Sequence, residues 1–168
     1  MPSNQDFVKA INWAVENGVT TGTGGGKFSP DKGCTRAQIV TFLWRAVGRP
    51  DGPISGAFTD MPTNSDFQKA ISWAAANGVT TGTGGGKFSP DKGCTRAQIV
   101  TFLWRAAGRP DVQVSTAFSD MPANADFQKA ISWAVAKGIT KGTGSGKFSP
   151  NATCTRAQAV TFLYRAQI

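Results

Sequence analysis

A chain of 168 residues, 40% of them aliphatic or aromatic, can bury one well-formed core and is short for two; that apolar content excludes a disordered chain despite 20 glycines. Eighteen Lys and Arg against ten Asp and Glu give a formal charge of +8, which favours an anionic partner. With no histidine and no Cys-x-x-Cys there is no zinc or haem ligand set, so no cofactor is expected, and no apolar run nears the ~18 residues that span a bilayer.

The dominant feature is repetition at a 60-residue spacing. Residues 6–50 and 66–110 differ at five of 45 positions, and residues 66–106 and 126–166 at ten of 41. The units run 1–57, 58–117 and 118–168 and are expected to close into a single domain. Met1-Pro2 aligns with Met61-Pro62 and Met121-Pro122, so Phe58-Thr59-Asp60 and Phe118-Ser119-Asp120 have no counterpart ahead of the first unit. The polypeptide reads as cut in register with its repeats. Pro-Ser-Asn-Gln-Asp after Met1 is no secretory leader, which is expected to be absent or already removed. Over residues 1–60, 61–120 and 121–168 the charge is +1, +2 and +5, concentrated in the last; a solvated basic surface and an anion-binding one both fit.

In the first unit the spacing predicts a helix from about Asn4 to Asn17. Phe7, Ala10, Ile11 and Ala14 share one face, and Gly18 supplies the left-handed residue after it. Residues 19–30 read as short extended pieces around a glycine turn, a small hairpin with Phe28 plugged into the core. Cys34, Cys94 and Cys154 occupy one repeated position before the next helix. Any pairing would treat equivalent sites unequally and leave one thiol over, so all three are expected free and buried. Thr35 is the predicted N-cap of the second helix, with Gln38 completing a capping box, and Gly48 and Pro50 end it. Ala37, Ile39, Val40, Phe42, Leu43, Trp44 and Val47 make this helix apolar over much of its circumference, so it belongs nearer the core than the first. Trp44, Trp104 and Tyr164 are expected buried or half-buried between helices. Three such helices about a pseudo-threefold axis would bury one another. The fold class is therefore mainly α: three helix-loop-helix repeats in a prism on a central three-helix bundle, with short extended segments in the loops.

Catalytic patterns fail in turn. A Walker loop needs Gly where Thr21 stands and Ser or Thr where Phe28 stands, and Lys27 takes the last glycine position of the dinucleotide fingerprint. Without histidine there is no Ser-His or Cys-His pair. Asp6, Asp31, Asp60 and their copies sit at turns and helix starts, where capping and dipole effects explain them, and Asp31 becomes Asn151 in the third unit. No enzyme is expected.

Arg36, Arg96 and Arg156 each follow the capping threonine, where the macrodipole mildly disfavours a cation. Two readings stand. The helix start offers free N–H groups, and the guanidinium beside them adds a planar fork for a carboxylate. Alternatively the arginine pairs with Asp60 or Asp120, which could also orient it toward a ligand. Trp13, Trp73 and Trp133 lie off the main apolar stripe, so core packing and stacking on a sugar at a groove edge both fit.

Phe58-Thr59-Asp60, Ala70-Ile71-x-Trp73-Ala74, Gly78-Val79-x-x-Gly82, Gly86-x-Phe88-x-Pro90 and Thr95-Arg96-Ala97-Gln98, in that order and spacing, resemble the S-layer homology repeat. The resemblance covers nearly the whole chain, three times. It implies a pseudo-trimeric prism with one helix per repeat in its central bundle. It further implies an extracellular module at the bacterial cell surface, binding acidic, often pyruvylated, secondary cell-wall polysaccharide in grooves between repeats. The family's Thr-Arg-Ala-Glu motif falls on Thr35-Arg36-Ala37-Gln38 and its copies, which implies a ligand-binding role for Arg36, Arg96 and Arg156. Gln38, Gln98 and Gln158 replace the family's glutamate, keeping the cap and losing a carboxylate. With Asp60, Asp120, Trp13, Trp73 and Trp133 they make up the candidate site. Self-association into a lattice or filament is the alternative, a neighbouring chain supplying the segment ahead of the first repeat. Nucleic-acid binding by the basic third repeat would show as steep salt dependence, and nucleic acid is not among the expected partners.

Overall fold

The computed structural model describes residues 4–168. Each repeat contributes two helices: α1 (Gln5–Glu16) and α2 (Arg36–Ala46), α3 (Ser65–Ala76) and α4 (Arg96–Ala106), α5 (Ala125–Ala136) and α6 (Arg156–Ala166). Asn4 caps α1, its Oδ1 accepting from the Asp6 N–H at 2.9 Å. The second helices start from the predicted capping box. Thr35 Oγ1 accepts from the Gln38 N–H at 3.2 Å and Gln38 Oε1 from the Thr35 N–H at 3.0 Å, an exchange repeated at Thr95 and Thr155.

α2, α4 and α6 touch one another at the centre. Each also packs on the outer helix of the next repeat: α2 on α3, α4 on α5, and α6 back on α1. Helices paired in space are thus not the pair written within one repeat, and closure of α6 on α1 makes the prism a ring. Six consecutive residues of α2, Ile39 to Trp44, are buried, as are Ile99 to Trp104 of α4. At about 1.5–3 kcal/mol for each large apolar side chain fully buried, this central bundle is the main source of stability.

Around the axis the chain just before each central helix forms a closed circuit. The Cys34 N–H donates to the Cys154 carbonyl at 2.9 Å, the Cys94 N–H to the Cys34 carbonyl at 2.8 Å, and the Cys154 N–H to the Cys94 carbonyl at 2.8 Å. Single β-bridges flank it, Gly33 with Thr155, Thr35 with Gly93 and Thr95 with Thr153. The first two N–H groups of α2 also leave their own repeat: Arg36 donates to the Lys92 carbonyl at 2.9 Å and Ala37 to the Pro90 carbonyl at 3.0 Å. With the Gln38 N–H taken by Thr35, the helix start has no free donor among its first three, which corrects the expectation of an open anion site there.

The predicted hairpin shrinks to a four-residue turn with one bridge, Gly24 to Lys27. Gly25 and Gly26 both have positive φ, 60° and 71°, as a type I′ turn requires. Gly22 is obligatory for another reason: a Cβ there would sit 2.5 Å from the Lys27 carbonyl oxygen. Phe88 and Phe148 are fully buried as expected, whereas Phe28 is only half-buried. Tyr164 is 37% exposed, contrary to expectation. Trp44 and Trp104 are held by linker carbonyls, their Nε1 donating to Pro50 at 3.0 Å and Pro110 at 2.9 Å; no described residue covers Tyr164 in that way.

All three thiols are free and buried. Burial pushes Cys34 up to about 11, with Arg156 opposing, and Cys94 up to about 12. At pH 8 the native protein should therefore resist iodoacetamide and be labelled at all three cysteines once unfolded, read by mass spectrometry. Because unfolded thiols titrate near 9.0, this contribution to stability is full below pH 9 and lost as pH rises toward 12. The urea midpoint should fall over that interval.

Candidate ligand grooves between the repeats

The three arginines at the helix starts are buried, Arg36 being 3% exposed. Its Nε donates to the Phe88 carbonyl at 2.9 Å, and its guanidinium lies over two rings, 4.7 Å from the centre of Phe88 and 5.3 Å from that of Phe102. Arg96 holds Phe148 at 2.9 Å and Arg156 holds Phe28 at 2.8 Å in the same way. Each arginine thus bolts one repeat to the glycine loop of the next.

The expected pairing of arginine with aspartate is not formed. Asp60 instead accepts from the N–H groups of Phe88 and Ser89, both at 2.9 Å, and Asp120 from Phe148 at 2.8 Å and Ser149 at 2.9 Å. Arginine and aspartate grip the same phenylalanine, one by its carbonyl and the other by its N–H. Desolvation would raise both carboxyls, but these N–H bonds outweigh it and hold them below the ordinary aspartate value. The seam at Phe28 differs: no carboxylate of the described residues receives the Phe28 and Ser29 N–H groups. There Arg156 Nη2 donates to Thr20 Oγ1 at 3.2 Å, whereas Arg36 Nη2 and Arg96 Nη2 have no partner among the described residues.

Two grooves open above these unpartnered arginines, of about 350 and 480 Å³. The first is lined by Arg36, Lys92 and Arg105 with Thr80, Thr81, Thr83 and Thr101; the second by Arg96, Lys141 and Arg165 with Thr140, Thr143 and Thr161. Lys92 becomes Ala152 in the third repeat, and Lys141 stands where Thr81 does, so each groove keeps three cations by a different choice of position. Among the described residues no carboxylate lines either one. Arg105 also pairs with Asp126 at 3.0 Å and Arg165 with Asp6 at 3.2 Å, as Arg45 does with Asp66 at 2.9 Å. These half-exposed pairs tie each central helix to the next outer helix and contribute at most about 1 kcal/mol each. Arg45, Arg105 and Arg165 belong to none of the sequence motifs above, although they recur at one position in all three repeats.

The S-layer homology domain profile matches residues 2–40, 57–100 and 117–160, one match per repeat. The chain belongs to the S-layer homology family. A cell surface protein of Thermoanaerobacter kivui is 36% identical over 114 residues, 65% of this chain and 15% of that protein. An S-layer protein of Bacillus thuringiensis subsp. finitimus is 30% identical over 170 residues, 97% of this chain and 20% of that protein. A cellulosome-anchoring protein of Acetivibrio thermocellus is 28% identical over 151 residues, 84% of this chain and 34% of that protein. The chain therefore spans about a third or less of the length of these relatives.

Within the S-layer homology repeats the remaining candidates separate. Gln98 and Gln158 line the two grooves, their Oε1 atoms already committed to the capping box, and Gln38 makes the same cap. The tryptophans line neither groove. Trp133 is 5% exposed, Trp73 is half-buried, and Trp13 is half-buried with its ring centre 5.8 Å from that of Tyr164. None of the three lines a groove with Arg36 or Arg96, whereas Trp13 shares a separate pocket with Tyr164 and Arg165.

Replacing Asp60 by alanine should cost about 2–3 kcal/mol at pH 7, because two N–H groups lose a charged acceptor. Urea unfolding measures this. The carboxyl is held below its unfolded value of 3.8, so its contribution is present above that pH and lost below it. The gap between wild type and Asp60→Ala should therefore narrow as pH falls under about 4.

Proposed function

We propose that the chain is a non-catalytic anchoring module that holds a larger protein at the bacterial cell surface by binding acidic wall polysaccharide in its inter-repeat grooves. The observation that carries this reading is the lining of the grooves: three cations, a row of threonines and, among the described residues, no carboxylate in each. Hydroxyls and amides suit the polar edges of sugars, and the cations suit acidic substituents. Pyruvylated sugars, whose ketal carries a compact carboxylate, are the finer ligand class proposed. The buried arginines supply charge from the groove floor, where low dielectric strengthens it, while exposed Lys92 and Lys141 make the direct contacts. Membership of the S-layer homology family supports this reading, as does likeness to proteins described as S-layer and cellulosome-anchoring. Neither groove is lined by a carboxylate pair or an activated nucleophile, which supports binding without turnover.

Arginine replacement would mix binding with folding, since each guanidinium bolts two repeats. The informative variants are Lys92→Ala and Lys141→Ala, both on exposed side chains. Each should weaken binding of purified acidic wall polysaccharide by about tenfold at low salt in isothermal titration, about 1.4 kcal/mol, and the double variant should nearly abolish it. Removal of pyruvate from the glycan by mild acid should have a similar effect. No heat with wild type, or an unchanged affinity in the double variant, would sink this reading.

A further inference from the structure

The grooves at Arg36 and Arg96 share one plan, and in both the third cation already has a carboxylate. Arg105 Nη2 pairs with Asp126 at 3.0 Å and Arg165 Nη2 with Asp6 at 3.2 Å. Positive charge without a carboxylate partner therefore comes from two groups in each groove. One is the arginine at the floor, 3% exposed at Arg36 and 4% at Arg96, whose Nη2 has no partner among the described residues. The other is an exposed lysine, Lys92 in the first groove and Lys141 in the second, and neither pairs with a carboxylate among the described residues.

These two lysines do not occupy equivalent positions. The Lys92 carbonyl accepts the Arg36 N–H at 2.9 Å, which fixes that residue at the starts of the central helices. Lys141 lies two residues after Ile139, whose carbonyl takes Nη1 of Arg165, from the last turn of α6, at 3.1 Å. Its counterpart Thr81 follows Val79, which Arg105 holds in the same way at 3.2 Å. Between that contact and the helix starts the chain passes through the whole glycine loop. A central helix of 11 residues is about 16 Å long, so exchanging Lys92 for Lys141 carries the unpaired ammonium from its start toward its end. Ala152, in the Lys92 position, does not line the second groove, which is the roomier of the two at about 480 Å³ against 350 Å³.

We propose that the two grooves hold the carboxylate of an acidic sugar in different registers, at the helix-start end beside Lys92 in the first and toward the Arg165 end beside Lys141 in the second. The inference rests on the polysaccharide reading and adds the residues that set the register, positions 81 and 141 against 92 and 152. The floor arginines are common to both grooves, so they attract an anion without choosing its place. The choice falls to the lysine, because a carboxylate gains most where an ammonium can make a charge-assisted hydrogen bond to it. Neighbouring repeats thereby read different placements of the same substituent, although the rest of the two linings corresponds residue for residue.

The test titrates the isotope-labelled full chain with the methyl glycoside of a pyruvate-ketal hexosamine, whose ketal methyl group sits beside its carboxylate. Amide shifts of Thr83 and Thr143 report the affinity of each groove, and nuclear Overhauser contacts of the ketal methyl locate the carboxylate. Those contacts should fall on the Lys92 side chain in the first groove and on that of Lys141 in the second. Lys92→Ala should weaken the first groove by about tenfold. Adding Thr81→Lys should restore its affinity to within about threefold of wild type and move the methyl contacts to residue 81. Both substituted side chains are exposed, so the fold is kept. Methyl contacts at the same end of both grooves, or a double variant with neither rescue nor movement, overturn the register and leave the polysaccharide reading standing. Absence of shifts at millimolar probe also overturns it, and the polysaccharide reading falls with it only if the intact glycan gives no heat.

Discussion

A helix start buried on a threefold axis has three N–H groups to satisfy without water, and here the neighbouring repeat supplies acceptors for two of them. Lys92 and Pro90 carbonyls serve α2, Ala152 and Pro150 serve α4, and Lys32 and Pro30 serve α6. The cysteine main chains close the same circuit two residues before each helix. Each repeat therefore carries donors that only the next can satisfy, and the third is satisfied only by the first. A packed repeat that lost its neighbour's carbonyls would leave buried amides unpaired at a cost of about 1–3 kcal/mol each, so the circuit couples the three into one body.

The same constraint changes what the helix-start arginines can do. An arginine beside free N–H groups would be an open anion site. With those groups consumed, the guanidinium turns inward, sandwiched by two phenylalanine rings and bonded to a carbonyl across the seam. Structural clamp and source of groove charge are then one role, because the cation that joins the repeats also lies at the floor of the groove between them. In the proposed reading, specificity passes outward to the exposed Lys92 and Lys141, where substitution is cheap in stability. That division agrees with the exchange of Lys92 for Lys141 between the two grooves, in which position changes and charge does not.

Symmetry breaks at one seam, and the consequences are local. Among the described residues Phe28 has its arginine but no aspartate, α1 has an uncovered apolar strip, and Tyr164 has Trp13 against it. The backbone of the incomplete seam nevertheless matches the complete ones.

Much of this was legible in the sequence, because it depends on local chemistry. The Thr-Gln capping box, the helix limits near Asn4 and Asn17, the paired glycines of the turn and the all-round apolarity of the second helix are short-range signals. Recurrence at 60 residues made a closed threefold body the economical arrangement, and the ordered motifs identified the family. Tertiary structure alone decided which repeat each group serves. The pairing of α2 with α3 rather than α1, the turning of Arg36 onto Phe88, the capture of backbone rather than arginine by Asp60, and the separation of the tryptophans from the grooves all depend on contacts 20 to 130 residues apart in the chain, on the order set by the repeat and its closure. Periodicity tells which face of a helix is buried; it does not tell against which neighbour, because every repeat presents the same face.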